Sequence, residues 1–455
     1  MLEARVPTWG ERRLFFAATG VVVTGYVLWG RPFAWLHVPG IPLFPGEVTA
    51  AAALLVLARR RRQDRVRLPR YWSVALVLLT YAALRLSWDV WSYGLGAVRD
   101  AAMLGYAIVG WAAFRLVPEC DTEARQTATR WVSRVAVAVI LWAPVAIVVA
   151  KTLGPRAPLI PDSETSALGF KGGDLSVYVG AAMAWLILIP EMISPMKARW
   201  SLTAGGVGLL ILGTQNRGGL LAALATLLLV LLAVSKRERR QALRQIVMPV
   251  LIALLILAVT GITIRTIRRT ISFDQLVANV VSIFDPPEGS SLEGTVRWRL
   301  AYWSKVIDDI ALGDDWLTGV GFGPNLADRY GFQVIGNSSQ PLRNAHNSHV
   351  TLLARLGLIG AGLWLAFWGS LGLTYLDLRK DPTRRSQLWL LAFIVGVGVN
   401  SIFDPALEGP QMAIPFWLAV GVLAGLDAHH PRVRGAASAR TPLQRSADTA
   451  PHQPR

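Results

Sequence analysis

Two scarcities set the class of this chain. A single cysteine, Cys120, occurs in 455 residues, so no intramolecular disulfide can form and the redox compartment is left open. Charged residues make up 16%, against roughly 25% in ordinary soluble domains. Acidic residues are the scarcer sign, 29 against 46 basic ones, for a formal net charge of +17. No repeat with a period of about 20–50 residues is present, which excludes solenoids and propellers. What fills the space is apolar: 53% hydrophobic residues, 18 Trp and a mean hydropathy of +0.42. A soluble globular enzyme, a disordered chain and a disulfide-built secreted domain are all excluded. The composition is that of a polytopic membrane protein.

A span needs about 20 mostly apolar residues to cross roughly 30 Å of hydrocarbon. Twelve runs meet or approach this, at about 14–30, 41–58, 71–88, 100–117, 132–150, 174–193, 199–214, 218–235, 246–266, 350–376, 387–403 and 411–427. The first is no cleavable signal peptide, because no small-residue cleavage site precedes Gly30-Arg31-Pro32. The expected fold is therefore all-α, with six spans in residues 1–200, a central group in 201–266, a long polar segment at 267–349 and a C-terminal group in 350–427.

With twelve spans, the basic loops fall on one face. These hold Arg59 to Arg62, Arg65, Arg67 and Arg70, then Arg115, Arg125 and Arg130, Lys197 and Arg199, Lys236 to Arg244, and Arg379 to Arg385. Arg5, Arg12, Arg13 and the tail share that face. Lys and Arg hold short loops in the cytoplasm, so both termini are predicted inside, and the tail at 428–455 reads as disordered. The opposite, extracytoplasmic face carries the segment 267–349, against the charge rule, with Arg265, Arg268, Arg269, Arg297, Arg299, Arg329 and Arg343 in it or at its edge. Long loops translocate regardless of charge. A cationic cluster there nevertheless suits an anionic ligand.

Within this segment Phe273, Val277, Val280, Val281 and Phe284 recur at helical spacing up to Asp285-Pro286-Pro287. Val296, Leu300, Trp303, Ile307 and Ile310 mark a second amphipathic helix, with Arg299 flanking the apolar stripe and Arg297 further round. Such helices lie on a membrane surface or roof a cavity. Gly319-Val320-Gly321-Phe322-Gly323-Pro324 is no nucleotide loop, lacking a βαβ unit around it, and reads as a tight turn where backbone meets backbone. His346 and His349 sit where the chain re-enters the membrane. Zinc requires three or four protein ligands, and none beyond this pair stands nearby in sequence; Asp404 and Glu408 in the last outer loop are the conceivable further ligands, and the favoured reading is a site without metal. Asp308-Asp309 and Asp314-Asp315 read as solvated ends of the loop helix.

The run Arg343-Asn344-Ala345-His346-Asn347-Ser348-His349, continuing to Leu356-Gly357-Leu358-Ile359-Gly360, resembles the O-antigen ligase and O-antigen polymerase superfamily. His346, Asn347, Gly357 and Gly360 fit its His-Asn, nine residues, Gly, two residues, Gly signature without a gap. Thr214-Gln215-Asn216-Arg217-Gly218-Gly219 is similar to its Ser-Arg-Gly-Gly element, with Asn216 where Ser is usual. Arg299-Leu300-Ala301-Tyr302-Trp303 and Gly319-Val320-Gly321 resemble its Arg-x-x-x-Trp helix and Gly-x-Gly turn, and Phe403-Asp404-Pro405 to Pro410 its last outer loop. The resemblance covers about 200–427.

The resemblance implies a GT-C-like bacterial inner-membrane glycosyltransferase. Such an enzyme moves a glycan from undecaprenyl diphosphate to an acceptor hydroxyl outside the cytoplasmic membrane. It implies His346 as general base, since imidazole titrates near operating pH. It implies Arg217 and Arg299 as diphosphate ligands, with Arg297 an alternative to Arg299 and Arg343 a further candidate, because guanidinium offers paired donors to phosphate oxygens. Asn347, Gly357 and Gly360 belong to the motif, and His349 to the core. With cations on the diphosphate, neither metal nor cofactor is required, and transfer is expected to invert. Expected partners are a lipid-linked glycan donor, a glycan or lipid-glycan acceptor and membrane lipids, not nucleic acid. A polymerase extending lipid-linked repeats uses the same parts. A transporter or flippase, the competing class, would show two related halves, and 1–200 and 200–427 show no such echo.

Overall fold

The computed structural model describes residues 9–38, 43–59, 67–261, 263–265, 270–284, 291–333 and 342–429. Arg5, Arg60, Arg61, Arg62, Arg65, Arg268, Arg269, the Asp285-Pro286-Pro287 stop and the tail from His430 onward lie outside them.

The helices in chain order are α1 (Trp9–Trp29), α2 (Arg31–Ala34), α3 (Pro45–Ala58), α4 (Arg70–Tyr93), α5 (Leu95–Gly105), α6 (Ala107–Leu116), α7 (Thr122–Thr152), α8 (Gly172–Leu188) and α9 (Pro195–Gln215). They continue as α10 (Arg217–Ala233), α11 (Lys236–Thr260), α12 (Phe273–Phe284), α13 (Ser291–Leu312), α14 (Leu326–Tyr330), α15 (Ser348–Leu378), α16 (Arg385–Phe403) and α17 (Pro410–Ala428). A helix lies on each of the twelve apolar runs, α5 and α6 sharing the fourth. Among the described residues seven helices are long and apolar enough to cross a membrane, and four more are apolar and shorter. The chain is an all-α polytopic membrane protein.

Two boundaries differ from the sequence reading. The span expected at 246–266 starts at Lys236 and stops at Gly261, whose left-handed φ of 62° ends the helix. The chain then forms a short antiparallel pair, β1 (Ile264–Arg265) with β2 (Thr270–Ile271). The second difference concerns α13. Tyr302, Val306 and Ile310 are fully buried, whereas Leu300 and Ile307 of the expected stripe are exposed. Ile310 is buried as the stripe implied, but beside it the helix packs Val306 and Tyr302 inward, Tyr302 flat on Phe332 with ring centroids 4.6 Å apart. This rotation turns Arg299 half inward and leaves Arg297 exposed.

The bundle is organised around α8, every residue of which is buried. A helix apolar on all sides belongs in a core, and α7, α9, α10 and α16 surround this one. Small residues let backbones touch: a Cβ on Gly180 would lie 2.7 Å from Ala223 Cα, and one on Gly219 2.6 Å from Gly173 Cα. The start of α8 is thereby pinned against the start of α10. A smaller satellite core, Tyr302, Val306, Ile310, Leu326, Ala327, Tyr330 and Ala345, holds α13 and α14 over the head of α15.

Candidate active site at the head of the bundle

Five chain segments meet where α8, α10 and α15 begin and α16 ends. Lys171 is the residue before α8, and its Nζ lies 3.0 Å from Oδ1 of Asp404, the residue after α16. Asn216 caps α10, its side-chain oxygen accepting from Gly219 N at 2.7 Å, which sets Arg217 as the first helical residue. The same turn rests on its neighbours, for a Cβ on Gly218 would meet Phe403 Cβ at 2.5 Å. Arg217, Lys171 and Asp404 thus stem from backbone segments in contact.

His346 and Arg299 complete the group. His346 has a left-handed backbone, φ 51°, uncommon for a residue with a Cβ. Its N–H donates to Asn344 Oδ1 at 3.1 Å, and its ring stands edge-on to Trp298, 6.3 Å between centroids. The preceding carbonyl, of Ala345, accepts from Trp303 Nε1 at 2.8 Å, so the Trp of the Arg-x-x-x-Trp element holds the His loop. Asn347 caps α15, accepting from His349 N and Val350 N at 2.9 and 3.1 Å. Ser348 Oγ accepts from Leu407 N at 3.3 Å and ties this loop to the Asp404 loop.

The electrostatics follow from this crowding. Burial lowers the His346 pKa to about 4; Asp404 opposes the shift, and Arg299 and Lys171 add to it. The imidazole is therefore neutral at physiological pH. Its Nδ1 is buried with no hydrogen-bond partner among the described residues. Burial works against the Lys171 ammonium too, but the Asp404 and Asp174 carboxylates outweigh it and hold its pKa above the ordinary value. Asp404 is held low, since Lys171, His346 and Arg299 together overcome the burial penalty. Glu408 is pushed up to about 7 by burial, despite Thr351 and Arg355 beside it. On the same face a cavity of about 460 Å³ opens between Arg31, Trp35, Arg99, Asp162 and Glu164, and the charge of Arg31 reaches Lys171. Among the described residues no three His, Cys, Asp or Glu side chains are grouped to hold a metal ion.

Other sequence-selected residues have different surroundings. Arg343 grips Asp100 with Nε to Oδ1 at 2.8 Å and Nη2 to Oδ2 at 3.1 Å, and donates to Gly323 O at 2.7 Å. Asp100 also takes Gly323 N at 3.0 Å and Arg355 Nη2 at 2.8 Å. Arg355 in turn donates to Gly321 O and Pro324 O at 3.0 and 2.7 Å. His349 has both ring nitrogens engaged: Nδ1 accepts from Trp364 Nε1 at 2.8 Å, so Nε2 carries the proton toward Gly398 O at 2.9 Å. Asp309 and Asp315 are not simply solvated but hold Arg329 at 3.2 and 3.4 Å.

The signature glycines form a joint. At Gly357 (φ 60°, ψ −160°) α15 kinks, a conformation essentially restricted to glycine. The carbonyls of Ala354 and Arg355, freed from the helix ladder by the kink, accept from Val320 N and Gly321 N at 2.8 and 3.1 Å. Leu358 N and Ile359 N donate back to Trp316 O and Leu317 O at 2.9 and 3.2 Å. A Cβ on Gly319 would sit 2.5 Å from Gly357 N, and one on Gly360 2.2 Å from Leu356 Cβ. The Gly-x-Gly turn is therefore the backbone-to-backbone contact expected of it, and its partner is the kink.

Sequence reasoning passed over Lys171 and Arg355. Arg355 carried a readable signal, an ionisable side chain inside an apolar run. Lys171 stood in an outer loop with nothing nearby in sequence to mark it.

The family model described as O-antigen ligase matches residues 202–365. No curated protein matches the chain. The matched segment contains Arg217, Arg299, His346, Asn347, Gly357 and Gly360. Over residues 202–365 the chain is thus similar to the O-antigen ligase family, and this stretch holds every signature residue named above.

Proposed function

We propose that this protein transfers a glycan from undecaprenyl diphosphate to an acceptor hydroxyl at the extracytoplasmic face of the bacterial cytoplasmic membrane, as an inverting, metal-independent glycosyltransferase. The observation that carries the reading is a neutral, buried imidazole, His346, grouped with Arg299, Lys171 and Asp404 at one end of a membrane bundle. The acceptor oxygen attacks the anomeric carbon while the bond from that carbon to the diphosphate oxygen breaks. The bonding pair leaves on the diphosphate, and the hydroxyl proton passes to the imidazole of His346. Configuration at the anomeric carbon inverts, because attack comes from the side opposite the leaving group.

Arg217 and Arg299 take the developing charge on the diphosphate. Such preorganised donors in a water-poor site are worth on the order of 10²–10³ in rate each. The half-inward turn of Arg299 and the exposure of Arg297 favour Arg299 as the loop ligand. Arg343, engaged by Asp100 and Gly323, positions the Gly-x-Gly turn instead of binding donor. Lys171 and Asp404 tune His346 and place its loop.

The decisive assay uses purified enzyme with an undecaprenyl-diphosphate-linked glycan and an acceptor. His346→Ala should lower transfer by about 10²–10⁴-fold, the usual contribution of a positioned base. Full activity of that variant would remove His346 from the mechanism. Transfer that persists in saturating EDTA supports metal independence, and complete loss would overturn it. Deleting the gene separates the two family reactions: retained lipid-linked polymer without attachment means ligase, and single repeats mean polymerase.

A further inference from the structure

We propose that the groove between α9 and α11, at the arginine-rich end of the bundle, binds the headgroup of an anionic phospholipid. The groove is a cavity of about 870 Å³. Arg199 faces into it from α9, and Lys236, Arg237, Arg240 and Arg244 from α11. Among the described residues no acidic one lines it. Glu238, the one acid in that stretch of α11, is turned to Arg385 at 2.6 Å and to the cap at Ser235. Further along α11 the lining becomes apolar, with Met248, Pro249 and Ile252.

This order of cations and then apolar surface, running along one helix into the bilayer, matches a phosphate headgroup followed by acyl chain. Lys236, Arg240 and Arg244 recur at i, i+4 and i+8, so one face of α11 presents them together. The helices touch deeper in, where a Cβ on Gly206 would meet Val250 Cγ2 at 3.0 Å, and they leave the groove between their basic ends. Helix α11 is also the span that the protein covers least, with 6% of its apolar window buried, so lipid reaches the groove directly. Basic pockets between membrane helices on the cytoplasmic side are the setting in which anionic headgroups are held. Cations needed only for orientation would serve equally on any loop; these converge from two helices on one groove. The inference does not rest on the transfer reaction, since Arg199 lies about 24 Å along α9 from Gln215, the end of the helix next to Arg217.

The test is native mass spectrometry of the full-length protein in detergent, with added cardiolipin or phosphatidylcholine. The wild type should retain cardiolipin and not phosphatidylcholine. Arg240→Gln with Arg244→Gln should weaken cardiolipin retention about 25-fold, about five-fold for each charge removed. Lys at both positions should restore it, which separates charge from misfolding. Arg125→Gln with Arg130→Gln, equally basic and outside the groove, should leave it unchanged. Equal loss in that control, or undiminished retention by the Gln pair, would overturn the proposal. So would protection of the same arginines by inorganic phosphate with no lipid retained.

Discussion

Replacing Gly357 by Ala tests the joint on which the site is hung. The φ and ψ of 60° and −160° cost a residue with a Cβ about 1–3 kcal/mol. The new methyl would also lie 2.5 Å from Gly319 N and 2.5 Å from the Leu317 carbonyl carbon and oxygen, all backbone atoms that cannot rotate away. Relief requires the 316–321 strand of loop to withdraw from α15, breaking four backbone hydrogen bonds to residues 354, 355, 358 and 359. At about 1 kcal/mol net for each bond, losing even half of them brings the total to about 3 kcal/mol or more. For a large chain roughly 2 °C of melting temperature attends each kcal/mol, so Gly357→Ala should melt at least about 5 °C lower. Transfer activity should fall with it, because residues 319–323 and 343 brace the loop carrying His346. Gly362→Ala is the control in the same helix: nothing lies within 4 Å of its Cβ, and the change should be neutral or stabilise by up to about 1 kcal/mol. Melting curves of the purified variants decide the matter. If Gly357→Ala melts with the wild type, or the two substitutions cost the same, the kink is not the joint described.

The charges around His346 predict opposite shifts in the acid limb of the pH–rate profile. Lys171→Met removes a cation and leaves Asp404 unscreened, so the limb should move to higher pH, while Asp404→Asn should move it lower; equal displacement of both would show that neither charge reaches the imidazole. Arg217→Lys keeps the charge but loses the paired donors, and titration with lipid-linked donor should show weaker binding; unchanged affinity argues against a diphosphate fork. Asp100→Asn leaves Arg343 and Arg355 without their shared carboxylate and should cost about 3–5 kcal/mol, whereas breaking the exposed Arg13–Glu123 pair should cost less than about 1 kcal/mol; comparable melting of the two variants would refute the bracing role. At position 346 both Ala and Gly should be inactive, but Gly should be more stable by about 1–2 kcal/mol, since only Ala bears the left-handed penalty at φ 51°; equal melting would mean that the backbone there is ordinary.

Spans were legible because the bilayer imposes one strong rule, a long apolar run, and every such run carries a helix. The packed face of α13 was only partly legible. Ile310 is buried as the apolar stripe implied, but Leu300 and Ile307 are left exposed, and Tyr302 and Val306 took the buried side, Tyr302 through ring contacts with Phe332 and Tyr330 that depend on partners remote in sequence. His346, Arg217 and Arg299 were selected through motif spacing. Their electrostatic neighbours were hidden by distance along the chain: Lys171 meets Asp404 across 233 residues, and Arg343 meets Asp100 across 243. A sequence shows which arginines face outward. It does not show which of them already have a carboxylate.

That distinction separates two kinds of cation on the same face. Arg85, Arg343 and Arg355 are drawn to Asp89 and Asp100, and those carboxylates also accept from Phe322 N and Gly323 N. Each charge in this set is spent on fixing a loop backbone whose own groups would otherwise go unsatisfied. Lys171 and Asp404 differ, because their pair sits beside an imidazole with an open nitrogen and biases its proton affinity from both signs. The signature residues link the two sets. Asn347 starts α15, Gly357 bends it, Gly360 leaves room for Leu356 beside the bend, and the bend receives the turn that Arg355 and Arg343 brace. A substitution at Gly357, eleven residues from His346, should therefore act on that imidazole through the backbone, without altering any charge near it.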